Sequence, residues 1–211
     1  MRPTTRMHRR QRGAVLVETA MVVPILIFLC FGIFEVGVAW RSSNELTRSV
    51  GSAIVDSGRQ TDGRYSDLFA MERITASLAG TETLDWVIVY KTDDTRSEPS
   101  VDCLSEAALV AGTNQVRSRP DECVVFGGVF AENATVADFP SPTCAGDVDD
   151  DFCPADRDSV LTSGTDRLGL AVQVQHDWLT GFLPGGVTLA DHAVIPIITG
   201  INEARNAPAT P

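Results

Sequence analysis

No CxxC pair, no G-x-S-x-G element, no glycine-rich phosphate loop and no internal repeat occurs in this 211-residue chain. The first absence weakens a structural zinc site. The next two remove the positioning motifs of serine hydrolases and phosphate-binding enzymes. Ser159, Ser163, His176 and Asp177 supply the residue types of a triad, but unordered residue types are expected by chance in any domain. The expectation is therefore a protein that is not an enzyme, with no catalytic residue and no cofactor. Two further absences are local: no Asp or Glu precedes Gly13, and no charge of either sign lies between Thr19 and Phe34.

Ahead of Gly13 stand Arg2, Arg6, Arg9, Arg10 and Arg12, and the remainder carries 12 basic against 28 acidic side chains, a balance of −16. So acidic a body repels nucleic acid and anionic lipid head groups, and the arginines fit membrane orientation better than polyanion binding. From Ala14 to Trp40 there is enough apolar helix, at about 1.5 Å per residue, to cross a hydrocarbon core of roughly 30 Å. The positive-inside rule then puts the N-terminus in the cytoplasm and the body outside, in a single-pass membrane protein. A cleaved secretory signal with a small-residue site at Gly37-Val38-Ala39 competes. Against it stand the length of the apolar run and Glu18 near its start.

The divisions that follow are a basic cytoplasmic leader (1–13), a transmembrane helix (14–40), an extracytoplasmic α+β domain (41–200) and a disordered tail (201–211). Pro24 cannot donate to the carbonyl of Ala20, so a kink is expected there. Beyond Trp40, Leu46, Val50 and Ile54 recur at four-residue spacing, carrying the helix out to about Ser57. A second helix follows, with Leu68, Met71, Ile74 and Leu78 on one face. Leu84 to Lys91 reads as a strand. Two more are expected near the end, through Leu168, Leu170, Val172 and Val174 and over Val187 to Ile198. Together these give a small antiparallel sheet packed on the helix. Residues 92–166 read as a long acidic insertion, rich in Asp, Ser, Thr, Pro and Gly.

Cys103, Cys123, Cys144 and Cys153 form an even set in that insertion and point to two disulfides in an oxidising compartment. Sequence order favours Cys103 with Cys123 and Cys144 with Cys153, although four cysteines admit three pairings. Asp147, Asp149, Asp151 and Asp158 have the spacing of a calcium loop, but Phe152 occupies the position that needs glycine for the sharp turn. A solvated acidic loop is the favoured reading, and no metal is assigned. His176-Asp177 and Asp191-His192 are symmetric about Pro184-Gly185, so a regular hairpin would set the histidines face to face; the apolar "WLTGFLPGGV" between them does not guarantee that register.

Gly13, Ala14, three apolar residues and Glu18, then an apolar helix with Pro24 ending "FGIFEVG", resemble the N-terminus of TadE-like proteins of the tight-adherence (Flp) pilus system. Thr19 and Val36 depart from that pattern, where phenylalanine is usual. The resemblance implies a type IV pilin-like protein: a pseudopilin whose leader is removed between Gly13 and Ala14 by a prepilin peptidase. Its partners would be other pilin-like subunits and the inner-membrane assembly platform, and it would either enter the pilus or remain as an assembly factor. A lone carboxylate in hydrocarbon costs roughly 2.5–3.5 kcal/mol on insertion scales. The resemblance implies that Glu18 forms a subunit-assembly charge pair with the new amine of a neighbouring chain. The competing reading of the carboxylates is that Glu18 and Glu35 merely mark the two ends of an unprocessed span, within snorkelling reach of head groups, and Glu35, a second carboxylate at the membrane edge, fits it better than Glu18. The competing reading is a permanently anchored extracytoplasmic module that binds a ligand or metal through its stapled insertion. N-terminal sequencing of the membrane-extracted protein is expected to begin at Ala14, whereas an intact Met1 or a start near Trp40 counts against the leader.

Overall fold

The computed structural model describes residues 7–58, 65–78, 80, 82–92, 97–120, 122–139, 152, 167–181 and 184–196, with side chains from residue 15 onward. Cys144, Cys153, Asp147, Asp149, Asp151, Asp158, Ser159, Ser163 and the tail 201–211 lie outside them.

Helix α1, Met7–Ser57, is one element of 51 residues and runs through Pro24 without a break in its assignment. Its two halves have opposite environments. The large apolar side chains of Val15 to Phe34 are 41–74% exposed, whereas Leu46, Val50, Ala53 and Ile54 are buried. From Val15 on, α1 is long and apolar enough to cross a membrane. Helix α2, Ser66–Thr75, closes over the far half of α1 with Leu68, Met71 and Ile74, all buried.

The sheet has five strands in the order β2-β3-β1-β4-β5, with every neighbouring pair antiparallel. They are β1 Glu82–Thr92, β2 Val116–Arg119, β3 Cys123–Gly127, β4 Arg167–Asp177 and β5 Gly186–Pro196. One face carries Leu84, Val87, Val89, Val124, Phe126, Leu168, Leu170, Val172 and Val174 against α1 and α2. The opposite face carries Trp86, Ile88, Tyr90, Val125 and Ala171 against α3, Val101–Val110, through Cys103, Ala107 and Val110. The result is helices, sheet, helix: an α+β domain carried on the end of a single candidate membrane span. A register shift between Leu84 and Trp86 lets Leu84 and Val87 share a face although they are three residues apart. The extra residue, Asp85, stays satisfied, its carbonyl accepting from Gly112 N at 2.8 Å and its side chain from Gln173 Nε2 at 2.9 Å. Such bulges re-aim side chains where strict alternation fails.

The middle of the chain corrects the reading of 92–166 as a loop insertion. It contributes α3, β2, β3, the short helix α4 (Gly128–Asn133) and a turn of 3-10 helix at Val136–Asp138. All five residues of β3 are buried, so a strand covered on both faces shows no polar alternation. Phe126 stacks on Phe130 at 5.7 Å between ring centroids and tilts against Phe139 at 6.5 Å. Gly128 is a packing glycine: a Cβ there would lie 1.6 Å from the carbonyl oxygen of Leu84, so α4 sits directly on β1. Gly169 likewise lies under the ring of Tyr90, whose hydroxyl donates to the Ser97 carbonyl at 2.6 Å. Burial, with Glu98 nearby, pushes the Tyr90 phenol above its usual range. The pair Cys103–Cys123 is a disulfide joining α3 to β3, with Cα atoms 6.3 Å apart. Closing a loop of this length stabilises by about 3 kcal/mol in the chain-entropy picture.

Truncation of Phe126 to alanine is expected to destabilise the full-length protein in detergent by roughly 3–5 kcal/mol, read by denaturant unfolding. A change below about 1 kcal/mol would place the middle segment outside the cooperative core.

Candidate membrane-exit junction

The sequence singled out two carboxylates on α1, and they have different surroundings. Glu18 is exposed, and among the described residues no hydrogen bond or ion pair reaches it. Its neighbour Thr19 turns its hydroxyl back to the carbonyl of Val15 at 2.8 Å. The Gly13–Ala14 bond lies within the backbone of α1.

Glu35 is fully buried, which corrects the picture of a carboxylate snorkelling freely to head groups. The turn after β4 covers it. Leu179 N donates to Oε2 at 3.1 Å, Thr180 N donates to Oε1 at 2.6 Å, and the Thr180 hydroxyl donates to Oε1 as well. Two successive backbone N–H groups and a hydroxyl thus converge on one carboxylate, a charge-assisted arrangement stronger than neutral hydrogen bonds. Gly181, with φ of 63°, supplies the left-handed residue that turns the chain away after Thr180.

One helical turn and more above Glu35, the contact continues. The hydroxyl of Ser42 donates to Glu82 Oε1 at the start of β1. The same oxygen lies 3.2 Å from His176 Nδ1, and Glu82 and His176 are cross-strand partners. His176 is fully buried, its ring edge-on to Trp178 at 6.0 Å, and among the described residues its Nε2 has no hydrogen-bond partner. Residues 35, 38, 39, 42, 45, 46, 49, 50, 53 and 54 are all partly or fully buried, the stripe of α1 that the domain covers. The polar junction therefore belongs to the same helix face as the apolar packing.

The structure does not bring the two histidines together. His176 pairs with Val187 and His192 with Ala171, because the register of β4 and β5 sets Asp177 opposite Gly186. His192 thus lies five positions further along β5 than the residue facing His176. Among the described residues there is no group of three or more His, Cys, Asp or Glu side chains placed to hold a metal ion. A shallow groove of about 440 Å³ runs between α1 and α2, lined by Glu45, Arg48, Ser49, Ser52, Arg73, Ala76 and Ser77. Sequence reasoning missed the clamp on Glu35, and the turn-forming Thr180-Gly181 beside an apolar run was the available signal.

A family model described as TadE-like protein matches residues 13–54. The N-terminal segment is thus similar to the TadE-like family. No curated protein and no solved structure matches the chain. The TadE-like segment opens at Gly13 and closes at Ile54, so it contains Glu18, Pro24, Glu35 and the packing residues Leu46 and Val50, and stops short of the sheet. The domain beyond it is held to the TadE-like helix by Glu35 at one end and by the buried apolar residues at the other.

If the carboxylate organises the turn, Glu35→Gln exposes Leu179 N to a competing donor and Glu35→Ala removes every acceptor. Hydrogen exchange over residues 178–181 is then expected to accelerate roughly tenfold or more in the alanine variant, with β4 protection retained. Unchanged exchange in the turn would show that Glu35 does not hold it.

Proposed function

We propose that this protein is a TadE-like pseudopilin, a minor pilin that works in assembly of a Tad-type (Flp) pilus or a related secretion apparatus and performs no chemistry of its own. The observation that carries the reading is the TadE-like match beginning at Gly13, on a helix whose exposed apolar surface bears a single unpaired carboxylate five residues later. The leader of residues 1–13 is removed by a prepilin peptidase, leaving a free amine on Ala14. Glu18 of one chain meets the Ala14 amine of a neighbour, so both charges are neutralised within the bilayer and the register between helices is set. The N-terminus faces the cytoplasm and the domain faces outward, an orientation supported by the arginine arm and by the Cys103–Cys123 disulfide, since disulfides persist in oxidising compartments. Its partners are other pilin-like subunits and the inner-membrane assembly platform.

Glu18→Ala is the direct test. The variant is expected to insert in the membrane, to be cleaved after Gly13 and to keep its fold, while co-purification of pilin-like subunits drops about tenfold or more, the scale set by leaving one charge unpaired in hydrocarbon. Normal co-purification by a correctly cleaved variant would remove Glu18 from the assembly role.

A further inference from the structure

The Glu35 clamp fixes the height of the β4–β5 turn on α1, and that height has a consequence for the turn itself. From Ala14 to Glu35 the helix rises about 32 Å at 1.5 Å per residue, which matches a hydrocarbon core of roughly 30 Å. The exposed apolar surface of α1 is dense over that interval, up to Phe34. A bilayer around this stretch therefore ends at the level where Leu179 and Thr180 meet Glu35.

We infer that the turn is a second membrane contact, with Trp178 and Leu179 seated at the boundary between head groups and acyl chains in the leaflet from which α1 emerges. This rests on the reading of α1 as a spanning helix. Leu179 is 50% exposed and Trp178 half-buried, so both offer surface continuous with the apolar flank of the helix. Trp178 is of the type enriched at this depth, with an apolar ring and one N–H donor. Trp40, 73% exposed and about 7.5 Å further along α1, supplies a second indole in the same zone.

The clamp also removes the main obstacle to such a contact. A backbone N–H carried into an interface of low polarity needs a partner there. The N–H groups of Leu179 and Thr180 have theirs in Glu35, as does the Thr180 hydroxyl. The buried carboxylate and the exposed leucine are thus two sides of one device: these three donors of the turn face the helix, and the side chain of Leu179 is left to face lipid. The acidic balance of the body disfavours attraction to anionic head groups, so the contact depends on apolar burial and is insensitive to salt.

The test uses full-length protein in phosphatidylcholine vesicles whose acyl chains carry bromine either near the head group or near the bilayer centre. The chain has three tryptophans, so the fluorescence of a Trp40→Phe variant minus that of Trp40→Phe/Trp178→Phe isolates Trp178 over the buried background of Trp86. Shallow bromine is expected to quench this component about twofold or more beyond deep bromine, consistent with seating roughly 5–10 Å into the interface. Leu179→Asp should lose most of that quenching. The Trp178→Phe variant, which keeps Trp40, serves as the control for the span. Quenching of Trp40 without quenching of Trp178 overturns the turn contact and leaves the span standing; quenching of neither overturns both. Cross-linking of Leu179→Cys between two copies, with Trp178 unquenched, assigns the surface to another chain and also overturns the inference.

Discussion

The hydrogen bonds from Leu179, Thr180 and the Thr180 hydroxyl to Glu35 join residues 144 and 145 positions apart, and the placement of the domain on its helix depends on them. Apolar packing through Leu46, Val50 and Ile54 holds the far half of α1 to the sheet, but packing alone is tolerant of small slides along a helix. A carboxylate with three donors aimed at it is not tolerant, because a shift of one residue leaves a buried charge and two backbone N–H groups without partners. Polar registration at one end and apolar burial at the other therefore divide two tasks, position and stability. Ser42, Glu82 and His176 extend the polar end onto the first residue of β1, so two neighbouring strands are referenced to the same face of α1.

The central strands follow from that arrangement. β1 and β4 lie in the middle of the sheet and are buried on both faces for much of their length, by α1 and α2 on one side and α3 on the other. A sheet covered on both sides needs more chain than three strands and one helix can supply. The segment between β1 and β4 provides it, as β2, β3, α3 and α4, with Cys103–Cys123 tying the second helical layer to the sheet. Despite the acidic, proline-containing composition of residues 92–166, its described part contributes Val124, Val125, Phe126, Phe130 and Phe139 to the interior.

What the residues made legible in advance divides along the same line. α1, α2, β1, β4 and β5 have apolar patterns long enough to reveal their period, and their positions agree with the sequence reading to within a few residues. β2 and β3 have four and five residues, too few to show any period, and β2 reads Val-Arg-Ser-Arg, a polar string. The glycines at 127 and 128 take their meaning from carbonyls that a Cβ would strike, those of Thr113 and Val110 at Gly127 and that of Leu84 at Gly128, and no local pattern announces either. Glu18 was conspicuous because a charge in an apolar run is costly wherever the chain goes. The partners of Glu35 were invisible because they are tertiary, while the TadE-like match ends at Ile54, before the turn that supplies them.

The two carboxylates of α1 are seventeen residues apart, which at about 100° per residue places them roughly 100° apart around the helix. The face of Glu35 is occupied by the protein's own domain. Glu18 therefore projects from a flank that the domain does not cover, about 25 Å nearer the N-terminus at 1.5 Å per residue. A neighbouring helix that reaches Glu18 can lie along the exposed apolar flank of Val15 to Phe34 without displacing the turn at Leu179. One glutamate is satisfied within the fold and holds the domain to its helix. The other has no partner among the described residues, and under the proposed assembly role the amine of a neighbouring chain supplies the missing positive charge.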